Sequence, residues 1–236
     1  MSFLIEVHVN EGIVLAADRR TTYSSVCKTA DTVINNIGVH VTNSTNKVFL
    51  CPNGAGISWC GDGAINHKPI SGYIQEMIRV KIHETTNVED IPKIINEFFG
   101  FVSPKPNLSF FVAGYTDLSA EKKQKICKVD VEDGKVTEID TDMQGASWEG
   151  ETLTLSRLLQ PVALKDPVGR YHEIPDEKIL WEYFTLQDAV DFARYAVETT
   201  IKTMRFKNVV ETVGGNVDIL IITPKKSYWL NKTELS

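Results

Sequence analysis

The first residues of the chain carry the groups of a nucleophile and a base. Met1 is followed by Ser2, and aminopeptidases remove an initial methionine when the next side chain is small. Removal would leave Ser2 with a free α-amine, which titrates near neutral pH and can accept the proton of the adjacent hydroxyl. An apolar stretch then ends at Asp18. Serine is also a common second residue, and an aspartate such as Asp18 also occurs at ordinary strand ends. These residues alone therefore fit both a catalytic role and a purely structural one.

Alternating and apolar stretches predict the strands that would position these groups. A first hairpin is expected from Phe3 to Val9 and Gly12 to Ala17, and a second from Lys47 to Cys51 and Ala55 to Cys60. The segment between these hairpins, 21–46, is long enough for an extra hairpin or flap. Later strands are predicted at 108–114, 124–131, 135–140, 217–222 and 227–230.

Apolar residues at three- and four-residue spacing predict four helices. The first contains Ile70 to Ile82, the second runs from about Val88 to Phe101, and a short third covers Glu151 to Leu159. The fourth is expected from Leu186 to Met204, with Thr185 as its N-cap. Periodicity alone therefore indicates a mixed α/β chain that is rich in antiparallel sheet.

Length and composition favour one globular domain over residues 1–236. The formal net charge of −6 argues against nucleic-acid binding, which needs clustered cations. No apolar run is long enough for a membrane helix and no signal-like segment follows Met1, so a cytoplasmic location is expected. The spacing of cysteines and histidines predicts reduced thiols and neither a metal site nor a cofactor.

A segment near the start and a later Lys-Val strand resemble one family of hydrolases. The first is Gly12-Ile13-Val14-Leu15-Ala16-Ala17-Asp18-Arg19-Arg20, and the second leads from Lys47-Val48 into Ser58-Trp59-Cys60-Gly61-Asp62-Gly63-Ala64. Together with Ser2 they resemble the proteasome β-subunit family of N-terminal-nucleophile hydrolases, which includes the HslV-type peptidases and the Anbu-like bacterial branch. The resemblance implies an α+β fold, a four-layer αββα sandwich of two mainly antiparallel sheets flanked by helix pairs.

The resemblance implies a catalytic role for four residues. Ser2 would be the nucleophile, where the family usually has threonine, and its α-amine would be the general base. Lys47 would lower the pKa of the hydroxyl and of the amine, and Asp18 would pair with the lysine, because an unpaired buried ammonium is costly. Gly61 falls where the family uses a backbone N–H to bind the oxyanion, although Gly61-Asp62-Gly63 also fits a strand-to-helix turn.

Four further positions match substrate-binding positions of the family. Thr22 falls on the strand that pairs with the substrate backbone, and Gly63 falls beside the proposed oxyanion glycine. Phe49 and Trp59 fall on positions that shape the specificity pocket, where two aromatic side chains predict a narrow or flat pocket. Either aromatic side chain also fits a plain core position.

Two supporting positions of the family are not matched in register. The family's Ser-Gly aligns with Gly145-Ala146-Ser147, so Ser147 is a substitute only after a shift of one residue. The family's Asp-x-x-Ser aligns with Val210 to Val213, where Glu211 is one residue from the aspartate position. Ser147 and Glu211 are therefore the expected supporting residues.

The expected function is that of an N-terminal serine- or threonine-type endopeptidase acting on polypeptides. The alternatives are a catalytically inactive proteasome-like ring subunit and an amidase that acts on small non-peptide amides. The family assembles into rings, so a homo-oligomeric ring is expected. The sequence does not determine whether an ATPase partner takes part.

Overall fold

The computed structural model describes residues 2–28, 33–118, 121–175 and 177–233. Met1, whose removal the proposed chemistry requires, lies outside the described residues. Within them, no helix combines the length and the apolarity that a bilayer span requires. The expectation of a mixed α/β chain with several antiparallel sheets and four helices is confirmed.

The first sheet has five antiparallel strands in the order β12-β1-β2-β15-β16. Its central strands are buried on both faces, which explains why β1 and β2 are mostly apolar along their whole length. The strand bounds are β1 Phe3–Val9, β2 Gly12–Asp18, β12 Gly145–Gly150, β15 Val217–Ile222 and β16 Ser227–Asn231.

The second sheet also has five antiparallel strands, in the order β11-β10-β9-β6-β5. The bounds are β5 Val48–Leu50, β6 Gly56–Gly61, β9 Leu108–Leu118, β10 Glu121–Asp130 and β11 Lys135–Ile139. Three two-stranded units complete the strands. They are β3 Thr21–Lys28 with β4 Val33–Thr42, β7 Ala64–Ile65 with β8 Lys68–Pro69, and β13 Ala163–Lys165 with β14 Tyr171–Glu173.

The helices are α1 Ile70–Lys81, α2 Ile91–Gly100, α3 Leu153–Leu159 and α4 Leu186–Met204. A single 3₁₀ turn precedes α2 and another, Trp181–Tyr183, precedes α4. The predicted N-cap of α4 is confirmed, because Thr185 and Asp188 form a reciprocal capping box.

Three apolar clusters hold these elements together. One contains residues of the second sheet with the inner faces of α1 and α2, including Ile57, Ile74 and Phe99. Another joins the first sheet to α3 and α4. The third is formed by facing side chains of the two sheets, among them Leu4 and Phe111.

The predicted flap between the first two hairpins is present as β3 and β4. Two further features were not predicted from the sequence. β12 pairs with β1 at the edge of the first sheet, and the exposed hairpin of β13 and β14 lies between α3 and α4 in the chain.

Candidate active site

Ser2 is held at the start of β1 by main-chain contacts. It is 3% exposed, and its carbonyl oxygen accepts a hydrogen bond of 2.8 Å from the N–H of Glu151. Gly150 lies directly against this carbonyl, at φ +89°, and a Cβ atom there would fall 1.8 Å from the Ser2 oxygen. Only glycine fits both the dihedral angle and the contact. The end of β12 therefore fixes the backbone of the residue that is proposed as the nucleophile.

Asp18, at the end of β2, is fully buried and accepts hydrogen bonds from four donors. Its Oδ1 accepts the N–H of Phe3 at 3.0 Å and the Lys47 ammonium at 2.8 Å. Its Oδ2 accepts the N–H groups of Arg20 at 3.0 Å and Gly214 at 2.9 Å. The turn after β2 and the turn before β15 supply these two amides, so the carboxylate ties three chain segments to the start of β1. Charged acceptors with several good donors are among the stronger hydrogen-bonded groups in proteins.

Lys47 immediately precedes β5 and has no exposed side-chain surface. Its ammonium donates to Asp18 and to the backbone carbonyl of Arg20. Burial lowers the pKa of Lys47 below its ordinary value of 10.5, and the charge of Asp18 opposes that shift. The lysine is therefore a cation in a desolvated position with a single carboxylate partner, an environment in which proton transfer becomes easier.

Gly61 ends β6 with φ +122°, and a Cβ atom there would lie 2.1 Å from the carbonyl oxygen of Asn107. Asp62, the next residue, holds the two segments together, because its N–H donates a hydrogen bond of 2.9 Å to the Asn107 carbonyl. The Asp62 side chain in turn accepts the Asn107 N–H at 2.9 Å. This turn admits glycine alone at position 61, because both the dihedral angle and the contact with the Asn107 backbone exclude a side chain.

A pocket of about 330 Å³ lies beside Ser2. It is lined by Ser2, Cys60, Gly61, Asp62, Asn107, Ser109, Glu149 and Gly150. A larger groove of about 720 Å³ lies between α2 and the strands β10 and β11, but it contains none of the proposed catalytic residues. The smaller pocket is the one in which a group near Ser2 could bind.

The four residues with proposed catalytic roles fall into one connected region. Asp18 bonds to Lys47 and to the amide that follows Ser2, and Gly61 lines the pocket that Ser2 also lines. Within the described residues no group of three or more His, Cys, Asp or Glu side chains could hold a metal ion. The roles of these residues stay predictions, whereas their proximity is a feature of the fold.

The proposed substrate-binding residues divide into two pairs. Thr22 and Gly63 lie near the site: the Thr22 hydroxyl donates to the Glu211 carbonyl at 3.2 Å, and Gly63 packs against Thr21. Phe49 and Trp59 lie in the apolar cluster with α1 and α2. The Trp59 indole donates to the Asn46 carbonyl at 3.0 Å, as a buried core tryptophan commonly does. Their proposed part in a specificity pocket stays a prediction.

The two proposed supporting residues lie in different places. Glu211 is close to the site, where its carboxylate pairs with Arg20. Ser147 is opposite Glu6 in the pairing of β1 with β12, so three residues of strand separate that point from Ser2. Ser147 is thus not brought next to Ser2, because β12 continues past it and contacts Ser2 with its last residues.

Sequence reasoning missed three contacts of the site. Gly150 and Glu151 hold the Ser2 carbonyl, and the Gly214 N–H holds Asp18. A signal for the first was present, because a glycine directly before the predicted α3 marks a turn at position 150. The Gly214-Gly215 pair indicates a turn in the sequence, but its residue types carry no sign of the contact with Asp18.

No protein-family model matches this sequence, and no curated protein matches it. Among solved structures, it is similar to Anbu from Hyphomicrobium sp. strain MC1, with a TM-score of 0.57 and 12% identity over 98% of this chain and 88% of that chain. A (Gly-1) mutant of Anbu from the same strain matches with a TM-score of 0.55 and 15% identity, over 94% and 82%. Eukaryotic HslV from Trypanosoma brucei covers 94% and 99%, with 14% identity and a TM-score of 0.47.

The two Anbu structures cover nearly the whole chain, and at these identities the likeness concerns the fold. The chain has the fold of Anbu.

Proposed function

We propose that this chain is an N-terminal-nucleophile peptidase resembling a proteasome β subunit, with Ser2 as its nucleophile after Met1 is removed. The observation that carries this proposal is the position of Asp18 Oδ1, which accepts both the N–H of Phe3 and the Lys47 ammonium. Because that N–H belongs to the peptide bond that follows Ser2, one oxygen atom sets the position of the first residue relative to the lysine.

The acylation step follows from the groups at this position. The free α-amine of Ser2 takes the hydroxyl proton as the oxygen attacks the scissile carbonyl carbon. The resulting oxyanion accepts a hydrogen bond from the backbone N–H of Gly61, a residue that lines the pocket beside Ser2. The protonated α-amine of Ser2 then gives its proton to the leaving nitrogen as the C–N bond breaks, which leaves an ester on Ser2.

Deacylation uses the same groups in reverse. A water molecule gives a proton to the α-amine and attacks the ester carbonyl, and the proton returns to the Ser2 oxygen as the C–O bond breaks. Lys47 favours both steps because its positive charge lowers the pKa of the neighbouring amine. Asp18 orients the lysine and compensates its charge in the buried site.

The wider predictions belong to this proposal as well. The three apolar clusters support a four-layer αββα arrangement, in which the two sheets lie between the helix pairs, and a single domain over residues 1–236. A cytoplasmic location, a polypeptide substrate and assembly into a homo-oligomeric ring follow from the proposed family.

A catalytically inactive ring subunit is the second candidate, and one observation favours it. Ser147, proposed to support the terminal amine, lies opposite Glu6 and not beside Ser2. An amidase for small non-peptide amides is the third candidate, and the modest volume of the pocket beside Ser2 is consistent with it.

The test combines the intact mass of the purified chain with labelling by an electrophile directed at N-terminal nucleophiles. We expect loss of Met1 and one covalent label on Ser2, together with hydrolysis of a broad fluorogenic peptide panel. In Ser2→Ala, which also permits removal of Met1, labelling and turnover should both disappear.

Ser2→Thr is the matched control because it restores the hydroxyl, and labelling should be retained. Retained Met1, or equal turnover in Ser2→Ala, would refute the proposed nucleophile. An unlabelled chain with Met1 removed would favour the inactive subunit. Turnover of amide metabolites without turnover of peptides would favour the amidase.

A further inference from the structure

The pocket beside Ser2 has a polar lining with an excess of negative charge. Its side chains come from Ser2, Cys60, Asp62, Asn107, Ser109 and Glu149, and none of the described residues that line it is Lys or Arg. Two of these six side chains are carboxylates. An apolar substrate group would gain little by entering such a pocket, because it would displace water from polar atoms without replacing their hydrogen bonds.

Two buried side chains show that the pocket is built to receive a group. Ser2 is 3% exposed and Cys60 is 4% exposed. Both residues line the pocket, so a hydroxyl and a thiol on the proposed nucleophile strand and on β6 face the same space. A ligand in the pocket can therefore contact both groups.

Glu149 provides the second element of the site. It lies opposite Leu4 in the pairing of β12 with β1, and Leu4 belongs to the cluster between the two sheets, so Glu149 is on the inner face. Lys128 binds its Oε1. Its Oε2 has no hydrogen-bond partner among the described residues, and the side chain is 26% exposed. One acceptor oxygen is therefore free in the wall of the pocket.

The charges around the pocket do not cancel. Of the two carboxylates in the lining, Glu149 pairs with Lys128 and Asp62 has no cation partner among the described residues, while the nearby Lys47 ammonium is paired with Asp18. Burial raises the pKa of Cys60 to about 12, and among the neighbouring charges that act on it the charge of Glu149 comes first. In a partly enclosed pocket such a charge attracts cations more strongly than it would in bulk water.

We propose that this pocket binds a positively charged group of the substrate, such as the ammonium of a lysine-like side chain, and that Glu149 is the residue that determines this specificity. The inference rests on the proposed function, since it names the substrate class of that site. Glu149 accepts a hydrogen bond from the bound cation through Oε2, while Lys128 keeps the carboxylate in place through Oε1.

The binding test does not require turnover. Butylamine, which is a cation at neutral pH, is titrated into the protein and compared with butanol and butanoate, and the amide resonances of Gly61 and Gly150 are followed by NMR. We expect butylamine alone to shift both resonances in a saturable way. Glu149→Gln should weaken this binding about fivefold, as expected for one partly exposed charge pair, and Lys128→Met should strengthen it.

Glu138→Gln is the matched control. Glu138 forms an ion pair with Lys125, which is on the same strand as Lys128, and this pair lies outside the Ser2 pocket. Its affinity for butylamine should equal that of the wild type. Equal shifts with all three probes, or no response to any of them, would overturn the proposal. So would the same butylamine affinity in the wild type and in Glu149→Gln.

A second measurement separates this inference from the proposed function. Peptides that differ only in lysine, glutamine or glutamate beside the scissile bond are offered to the wild type and to Glu149→Gln. Preference for lysine that Glu149→Gln reduces supports the proposal. Hydrolysis without any charge preference refutes the specificity and leaves the peptidase intact. Butylamine binding without hydrolysis of any peptide refutes the peptidase and leaves the cation site intact.

Discussion

Two buried carboxylates on neighbouring strands, Asp18 and Glu6, are held in different ways. Asp18 accepts four hydrogen bonds, one from an ammonium and three from backbone N–H groups. Glu6 has a contact of 3.2 Å with His8, and its Oε1 has no hydrogen-bond partner among the described residues. Both carboxylates have no exposed surface, so the difference lies in the donors that surround them.

The position of each residue in its strand explains the difference. Asp18 ends β2, where the chain turns and backbone N–H groups are free of the strand ladder. Glu6 lies in the middle of β1, between Leu15 and Ser147, where the neighbouring N–H groups are used by strand pairing. A buried charge is therefore well compensated at a strand end, and this is also where the proposed catalytic residues meet.

The largest expected effect is at Asp18. Asp18→Asn leaves the buried Lys47 ammonium without its counter-charge, and we expect the free energy of unfolding to fall by about 3–5 kcal/mol. Chemical denaturation would measure this loss. Glu138→Gln, which removes one partner of an exposed ion pair, should cost less than about 1 kcal/mol. A loss at Asp18 as small as that of Glu138→Gln would remove the contrast between the two regions.

The pair of Glu6 and His8 should make stability depend on pH. Burial raises the pKa of Glu6, and the hydrogen bond and charge of His8 offset this only in part. Burial alone would lower the pKa of His8, but the hydrogen bond and charge of Glu6 raise it above its ordinary value of 6.5, with help from the Met143 and Asp140 backbones. The folded state therefore binds the shared proton more tightly than the unfolded state does.

The sign of the pH effect follows from these shifts. The stabilisation is complete below pH 6.5 and is lost as the pH rises through the folded-state pKa of His8. Between pH 6 and pH 8 the wild type should lose about 1 kcal/mol more stability than Glu6→Gln, in which the cause of the shift is absent. Denaturation curves at each pH would measure this difference. Parallel curves for the two proteins would contradict the proposed proton sharing.

The smallest expected effect is at Ser58, and its sign is opposite. Ser58 is fully buried and its hydroxyl has no hydrogen-bond partner among the described residues. It is paired with Val48 and Phe111, both in the cluster between the sheets, so its side chain belongs to that layer. Ser58→Ala should leave stability unchanged or raise it by up to about 1 kcal/mol, since it removes an unpaired polar atom.

A thermal denaturation series would detect that change at Ser58. A loss of more than about 1 kcal/mol would show that the hydroxyl has a partner in solution, such as a buried water. Water would then supply the hydrogen bonds of the buried polar groups around Ser58 and Glu6, whereas the protein chain itself supplies those of Asp18.

The sequence was most informative where apolar periodicity was long. It located α4 with both ends and its cap, and it located β1 and β2, because each of these elements has a regular buried face. It missed β12, since Gly145–Gly150 contains no β-branched residue and its strand conformation depends on pairing with β1. The β13 and β14 hairpin was missed for a similar reason, because both strands are short and exposed.

The candidate site was predicted in part. Asp18 and Lys47 were proposed from the family resemblance, because the segments that contain them match its register, and the two side chains are in contact. The contacts from Gly150, Glu151 and Gly214 join residues far apart in the chain through backbone atoms. Backbone contacts of this kind leave little trace in residue types, apart from glycines whose purpose becomes clear only in three dimensions.

The contacts of the Ser2 carbonyl with Gly150 and Glu151 have a consequence for protein engineering. Because Gly150 and Glu151 hold this residue only through its main chain, its side chain does not determine where it sits. The position should therefore tolerate unnatural amino acids introduced by chemical ligation of a synthetic first segment. A fluorinated or isotopically labelled analogue of serine at position 2 would report on the pocket without disturbing β1.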